Sequence, residues 1–168
     1  MLHRRQFLMG GVAMAAAFTG WRLFSGKANA TSEKNFPYSL TESEWREKLT
    51  PAQFRVLREE GTERAGTSPL NAEKRKGTYH CAGCDQAVFD SETKFESGTG
   101  WPSFYEPIEG AVGESKDTSF LMTRTEVHCS NCGGHLGHVF DDGPPPTGLR
   151  YCMNGVAMTF EASAEGSS

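Results

Sequence analysis

Four cysteines in two identical spacings constrain this chain more than any other feature. Cys81-Ala-Gly-Cys84 and Cys129-Ser-Asn-Cys132 repeat the C-x-x-C unit. Each pair predicts a tight turn that points both thiolates one way, and two such turns can surround one tetrahedral metal ion. Thiolates select Zn²⁺ or iron over Mg²⁺ or Ca²⁺. Gly83, and Gly133 with Gly134, permit the backbone that such turns need. Disulfides and a redox dithiol are the competing uses, but neither accounts for the doubling. Haem attachment requires His directly after the second Cys of a pair, where Asp85 and Gly133 stand. A structural zinc on Cys81, Cys84, Cys129 and Cys132 is therefore expected. Its closed tetrahedron would staple the fold and would not catalyse. His80 and His128, each preceding a Cys, are expected to be exposed strand residues.

The rest of the chain predicts a small helical part followed by a compact antiparallel β part. Thr31 to Pro37 is a polar, flexible lead. Thr41-Glu-Ser-Glu44 has the form of a capping box and opens a helix from about Glu42 to Leu49. Thr50 and Pro51 open a second helix, with Phe54, Val56 and Leu57 on its apolar side and Gly61 at its stop. From Gly77 short β-branched and aromatic runs alternate with turn residues, as the 19 glycines and 8 prolines suggest. Strands are predicted at Thr78–His80, Ala87–Phe89, Phe120–His128 and Tyr151–Phe160. The segments VGESKDTS and DDGPPPTG are predicted to be loops.

Cys152 has no partner in this scheme. On a strand, Arg150, Cys152 and Asn154 share one face, while Tyr151 and Met153 point into packing. A nearby cation favours the thiolate, the nucleophilic form, and an amide alongside can hold a substrate. The plain alternative is a small buried hydrophobe. His135 and His138, in a glycine-flanked loop, can deliver protons near neutral pH. Trp101, before Pro102 in SGTGWPSF, belongs either to the core or to the wall of an apolar pocket.

YHCAGC, SGTGWPSF, HCSNCGGHLGHVFDDGP and GLRYCMN together resemble the B-type methionine-R-sulfoxide reductases. The resemblance runs from about Phe36 to Phe160. It implies a mainly β fold of two antiparallel β-sheets, the Mss4-like or β-tent type, with short N-terminal helices and one structural Zn²⁺. It implies that Cys152 attacks the sulfoxide sulfur and becomes a sulfenic acid. His135, His138 and Asn154 lie where that family binds and protonates the oxygen. Trp101 and Phe140 would hold the ε-methyl group, with Arg150 on the substrate side. Many members carry a resolving cysteine where Thr99 stands, so reduction by an external thiol, thioredoxin-like or other, is expected. The substrate implied is methionine-R-sulfoxide in oxidised proteins.

The first thirty residues read as an export signal. Arg4 and Arg5 precede an uncharged run from Gln6 to Trp21, too short to span a bilayer comfortably. Ala28-Asn-Ala30 offers a small-x-small cleavage site. The R-R-x-F-L pattern resembles the twin-arginine signal. The expected organisation is a signal at 1–30 and a reductase domain at 31–168, delivered to the periplasm. The alternatives are an ordinary secretory signal or an uncleaved N-terminal anchor facing the periplasm. Removing residues 1–30 leaves 13 basic and 21 acidic residues, a net charge of −8. That balance opposes nucleic acid and offers no handle for anionic lipid, so no membrane insertion is expected after cleavage. Two rival functions are a zinc-ribbon-like binding module and an Mss4-like enzyme acting on a glutathione conjugate.

Overall fold

The computed structural model of the chain describes residues 35–119 and 122–164. Residues 1–30, expected to be an export signal, and the start of the polar lead lie outside them. From Asn35 onward the lead is tied down, contrary to expectation. The Phe36 ring meets His128 edge-on at 5.7 Å, and Tyr38 N–H donates to Asn131 O at 2.9 Å.

Two short helices follow, α1 (Glu42–Lys48) and α2 (Pro51–Leu57), each with a complete capping box. Thr41 N–H donates to the Glu44 carboxylate at 2.7 Å, and Thr50 N–H to Gln53 Oε1 at 3.0 Å. Helices of 7 residues do not stand alone in water. Burial of Trp45, Phe54, Val56 and Leu57 holds them, each contributing about 1.5–3 kcal/mol in transfer terms. Gly61 lies beyond the end of α2, its N–H bonded to Arg55 O at 2.9 Å. No helix among the described residues is long and apolar enough to cross a membrane.

The rest of the described residues contribute nine strands: β1 (Gly77–Cys81), β2 (Ala87–Asp90), β3 (Lys94–Phe95), β4 (Ser103–Phe104), β5 (Val112–Asp117), β6 (Arg124–Cys129), β7 (His135–Phe140), β8 (Arg150–Met153) and β9 (Met158–Ala162). They form a three-stranded sheet, β2-β1-β9, and a six-stranded sheet, β3-β4-β8-β7-β6-β5. Every pairing is antiparallel. The expected two-sheet, mainly β architecture is what the chain forms.

Three strand expectations need correction. VGESKDTS contributes β5, which pairs with β6 over six residues; its polar side chains face a polar site and so give no apolar signal. The glycine-flanked histidine segment is β7, a strand inside the large sheet. Tyr151–Phe160 is not one strand. It breaks at a 3-10 turn, Gly155–Ala157, so that β8 lies in the large sheet and β9 in the small one.

The core lies between the sheets. Phe89 of β2 stacks on Phe104 of β4 at 4.3 Å, and Tyr79 of β1 meets Phe104 edge-on at 4.9 Å. Phe104 pairs across the ladder with Tyr151, which is also buried. Side chains alternate along a strand, so the other face of the large sheet carries the neighbours of these residues. Cross-strand partners share a face, and the row reads Ser103, Cys152, His138, Glu126, Ser115 across five consecutive strands. The sheet thus has one apolar face toward the core and one polar face built around Cys152.

Candidate active site

The two C-x-x-C turns meet, although they come from opposite sheets. The four sulfurs of Cys81, Cys84, Cys129 and Cys132 lie within 4.8 Å of one another. Cys81 and Cys132 are 3.7 Å apart, and Cys84 and Cys129 are 3.5 Å apart. Metal–sulfur bonds of ~2.3 Å in a tetrahedron place sulfurs ~3.8 Å apart, so the four residues fit a metal ion. A disulfide would require ~2.05 Å. Gly133 has φ +67°, and a Cβ there would strike the Phe36 ring at 2.1 Å; the turn needs glycine on both counts. His80 is half-buried, with Nδ1 3.0 Å from Asp85 O, and His128 is buried. The expectation of exposure fails because His128 alternates onto the same covered face as Glu126 and packs under Phe36.

A pocket of about 110 Å³ opens on the polar face of the large sheet. Cys152, His138, Phe140, Trp101 and Asn154 line it, with Thr62, Arg124 and Gly137. Cys152 sits directly across the ladder from His138. A Cβ on Gly137 would lie 2.2 Å from Cys152 O, so glycine lets β8 close against β7 here.

His135 and His138 are three residues apart and should point to opposite faces of a regular strand. They do not, because the register between β6 and β7 slips. Val127 pairs with Gly137, but His128 pairs with His135, leaving Leu136 as an extra residue. Such a bulge re-aims the side chains beyond it. The two imidazoles end on one side, 5.3 Å between ring centres. Only His138 lines the pocket; His135 is buried beside it.

Each imidazole is held by a carboxylate that sequence reasoning missed. His135 Nδ1 lies 2.9 Å from Glu126 Oε1, and His138 Nε2 lies 2.8 Å from Asp117 Oδ2. Burial opposes ionisation of Glu126, but hydrogen bonds from His135 and Ser115 outweigh it and bring its carboxyl down to about 2. The Ser119 N–H is the largest influence holding Asp117 well below the usual carboxylate range, with His138 and Arg124 adding to it. Burial lowers the His138 pKa, against the pull of Asp117. Alternation in RTEVHC could have shown Arg124, Glu126 and His128 sharing a face; Asp117 lay in a segment read as a loop.

Asn154 lies just past β8, and both ends of its amide are occupied. Its Oδ1 accepts from Glu63 N–H at 2.8 Å, and its Nδ2 donates to Leu136 O, in the bulge, at 3.0 Å. Trp101 Nε1 donates to Glu63 O at 2.9 Å. Two pocket residues thus clamp the backbone of Glu63, Asn154 at its N–H and Trp101 at its carbonyl. Arg150 does not line the pocket. Its guanidinium stacks 4.4 Å over the Phe140 ring and pairs with Asp142 at 2.7 and 2.9 Å. Asp142 raises its pKa most, and the Cys152 sulfur contributes. Opposite the sulfur, Thr99 Oγ1 lies 3.8 Å from Cys152 Sγ. Thr99 also bonds Ser97 at 2.8 Å, and Ser97 bonds the buried Ser103 at 2.7 Å.

Comparison with known proteins bears on this arrangement. The model of the SelR domain matches residues 49–162. A peptide methionine sulfoxide reductase MsrB of Agrobacterium fabrum is 58% identical over 122 residues, covering 72% of this chain and 90% of the relative. One from Pseudomonas putida strain W619 is 61% identical over 122 residues, covering 72% and 92%. One from Leptospira interrogans is 53% identical over 128 residues, covering 76% and 98%.

Proposed function

The chain belongs to the SelR family of peptide methionine sulfoxide reductases, and from that premise we propose that it reduces methionine-R-sulfoxide in oxidised proteins through the Cys152 thiolate. The observation that carries this reading is the placement of Cys152 in a small pocket with Trp101, Phe140 and His138. An indole and a phenyl ring suit a methyl group on sulfur. A chiral sulfur in so defined a pocket is taken in one configuration, and separate enzymes serve the two epimers.

The chemistry balances as follows. Cys152 S⁻ attacks the sulfoxide sulfur while a proton from His138 neutralises the oxygen. The hydroxyl so formed passes to the Cys152 sulfur as the substrate S–O bond and the transient bond between the two sulfurs break; methionine leaves, and Cys152 is a sulfenic acid. The cysteine sulfur loses the two electrons that the substrate sulfur gains. The charge of Arg150, held in place by Asp142 and Phe140, favours the attacking thiolate. His135 and Asn154 support the site from behind, His135 beside His138 and Asn154 through the Glu63 backbone N–H.

Thr99 cannot resolve the sulfenic acid. An external thiol condenses with it, releasing water, and a second thiol frees Cys152 as a disulfide departs. A thioredoxin-like protein or another thiol supplies both. Cys81, Cys84, Cys129 and Cys132 hold a zinc ion, which ties β1 and β6 together and takes no part in the reaction. The twin-arginine pattern at Arg4 and Arg5 supports export of the 31–168 domain to the periplasm, with the metal loaded before export; fractionation showing only full-length cytoplasmic protein would remove that part. The test of activity is reduction of R- against S-sulfoxide peptides with dithiothreitol, alongside zinc quantification. Turnover of the S form alone, or of neither, overturns the reading.

A further inference from the structure

Resting on that reading, we propose that Asp117 is a positioning residue for the reaction, fixing through His138 which ring nitrogen gives its proton to the sulfoxide oxygen. Asp117 does not line the pocket; His138 does. The carboxylate Oδ2 takes His138 Nε2 at 2.8 Å and the Arg124 guanidinium at 2.6 Å, while Oδ1 accepts from Ser119 N–H at 2.8 Å. Three contacts fix the carboxylate, so it can fix the ring. With Nε2–H committed to Asp117, Nδ1 is the remaining polar atom of a ring that stands directly across the ladder from Cys152. The imidazolium loses its proton at Nδ1 to the oxygen, and the neutral ring left behind keeps Nε2–H on Asp117. No rotation or tautomer exchange is required between turnovers.

The charges around His138 make Asp117 the counterweight. Asp117 faces it from β5, Arg124 and Glu126 from β6, His135 from β7 and Cys152 from β8. Burial, Arg124 and His135 all disfavour the imidazolium, and Asp117 opposes them. Remove that negative charge and the proton donor empties at a lower pH. Arg124 is itself a pocket residue neutralised by Asp117, so the same carboxylate balances two groups at the reacting centre. A carboxylate that orients an imidazole in this way is a common route to general acid catalysis, worth roughly 10²–10⁴-fold as a whole.

The test uses the full chain. Asp117→Asn keeps the size and a carbonyl acceptor but removes the charge. Single-turnover reduction of an R-sulfoxide peptide, followed without reductant across pH, should slow by about ten- to a hundredfold at neutral pH. The alkaline limb of the profile should move to lower pH, with KM within about twofold. Asp117→Glu should recover part of the rate, and Asp117→Ala should be the slowest. In the wild type, nitrogen-15 NMR of His138 should show the neutral ring protonated at Nε2, a measurement that needs no variant. An Nδ1-protonated neutral ring would overturn the proposal. So would a folded Asp117→Asn protein whose rate and alkaline limb match the wild type. A wild type inactive on the R-sulfoxide peptide would instead overturn the reading on which the proposal rests.

Discussion

Thr99 Oγ1 stands 3.8 Å from Cys152 Sγ, in contact reach of the sulfur that the proposed reaction oxidises. A thiol at this position would meet the sulfenic acid with little movement. Thr99→Cys is therefore expected to form an intramolecular disulfide with Cys152 after one turnover without reductant. Intact-mass analysis should show the loss of two hydrogens relative to the reduced variant. The wild type under the same treatment should instead carry a sulfenic acid that a dimedone-type reagent traps. A wild-type disulfide to any of the four metal-site cysteines would contradict the external-thiol scheme.

Cys152→Ser should lower single-turnover reduction by about a thousandfold or more, since the hydroxyl is a far weaker nucleophile than a thiolate. Cys152 is half-buried at the pocket, so the swap should leave stability within about 0.5 kcal/mol. Paired kinetics and thermal melts check both. Retained activity would place the chemistry elsewhere.

Metal loss should unfold the junction of the sheets. The cysteine cluster joins a β1 turn to a β6 turn through four buried or half-buried sulfurs. Structural zinc supplies ~10–16 kcal/mol to small domains that depend on it. Strong chelation, or Cys84→Ala, is expected to release one zinc per chain and lower the melting temperature steeply. Activity should fall with the fold and not before it. Activity lost ahead of unfolding would give the metal a direct part in the chemistry.

Asn154→Ala should strike structure and substrate affinity together. It removes the acceptor for Glu63 N–H and one donor to Leu136 O. A buried donor left without a partner costs about 1–3 kcal/mol. Trp101 holds the carbonyl of the same residue, Glu63, so the pocket wall loosens and KM should rise more than kcat falls. Denaturant melts and steady-state kinetics separate the two effects.

Acid should destabilise the protein through Glu126. Its pKa is about 2 in the fold against 4.5 in the unfolded chain. A depressed carboxylate contributes stability above its unfolded pKa and loses it as pH falls toward the folded one. The loss should span pH 5 to 2, worth up to about 3 kcal/mol. His138 acts in the same direction at higher pH: its lowered pKa means the unfolded chain binds the extra proton first below about 6.5. Stability against pH should flatten over the lower window in Glu126→Gln, and over the upper in His138→Gln. Unchanged curves would remove these assignments.

Much of this architecture was legible from the chain. Capping boxes at Thr41 and Thr50 announced both helices because their signals are local. The doubled C-x-x-C announced a shared metal site because chemistry restricts what four thiolates can do. The polar strand β5 was not legible, although β6, with Glu126, lay inside a predicted strand. Ser115 and Asp117 form a strand face without an apolar period because their partners are a carboxylate, an imidazole and a guanidinium. The bulge at Leu136 was equally hidden, since a slipped register exists only once β6 is alongside. The break between Met153 and Met158 escaped notice because both flanks are apolar and extended, and only the sheets' separate directions tell them apart.

That break has a consequence for how the protein comes into being. β8 is inserted between β4 and β7, and β9 completes the small sheet beside β1, yet among the described residues they come after every other strand in chain order. Until they arrive, the large sheet lacks its middle and the small sheet an edge. The thiol of Cys152 gains His138 as a neighbour only once β8 has been made and has docked on β7. A truncated or stalled chain therefore carries the metal cluster's ligands and both histidines, but no assembled oxidisable centre.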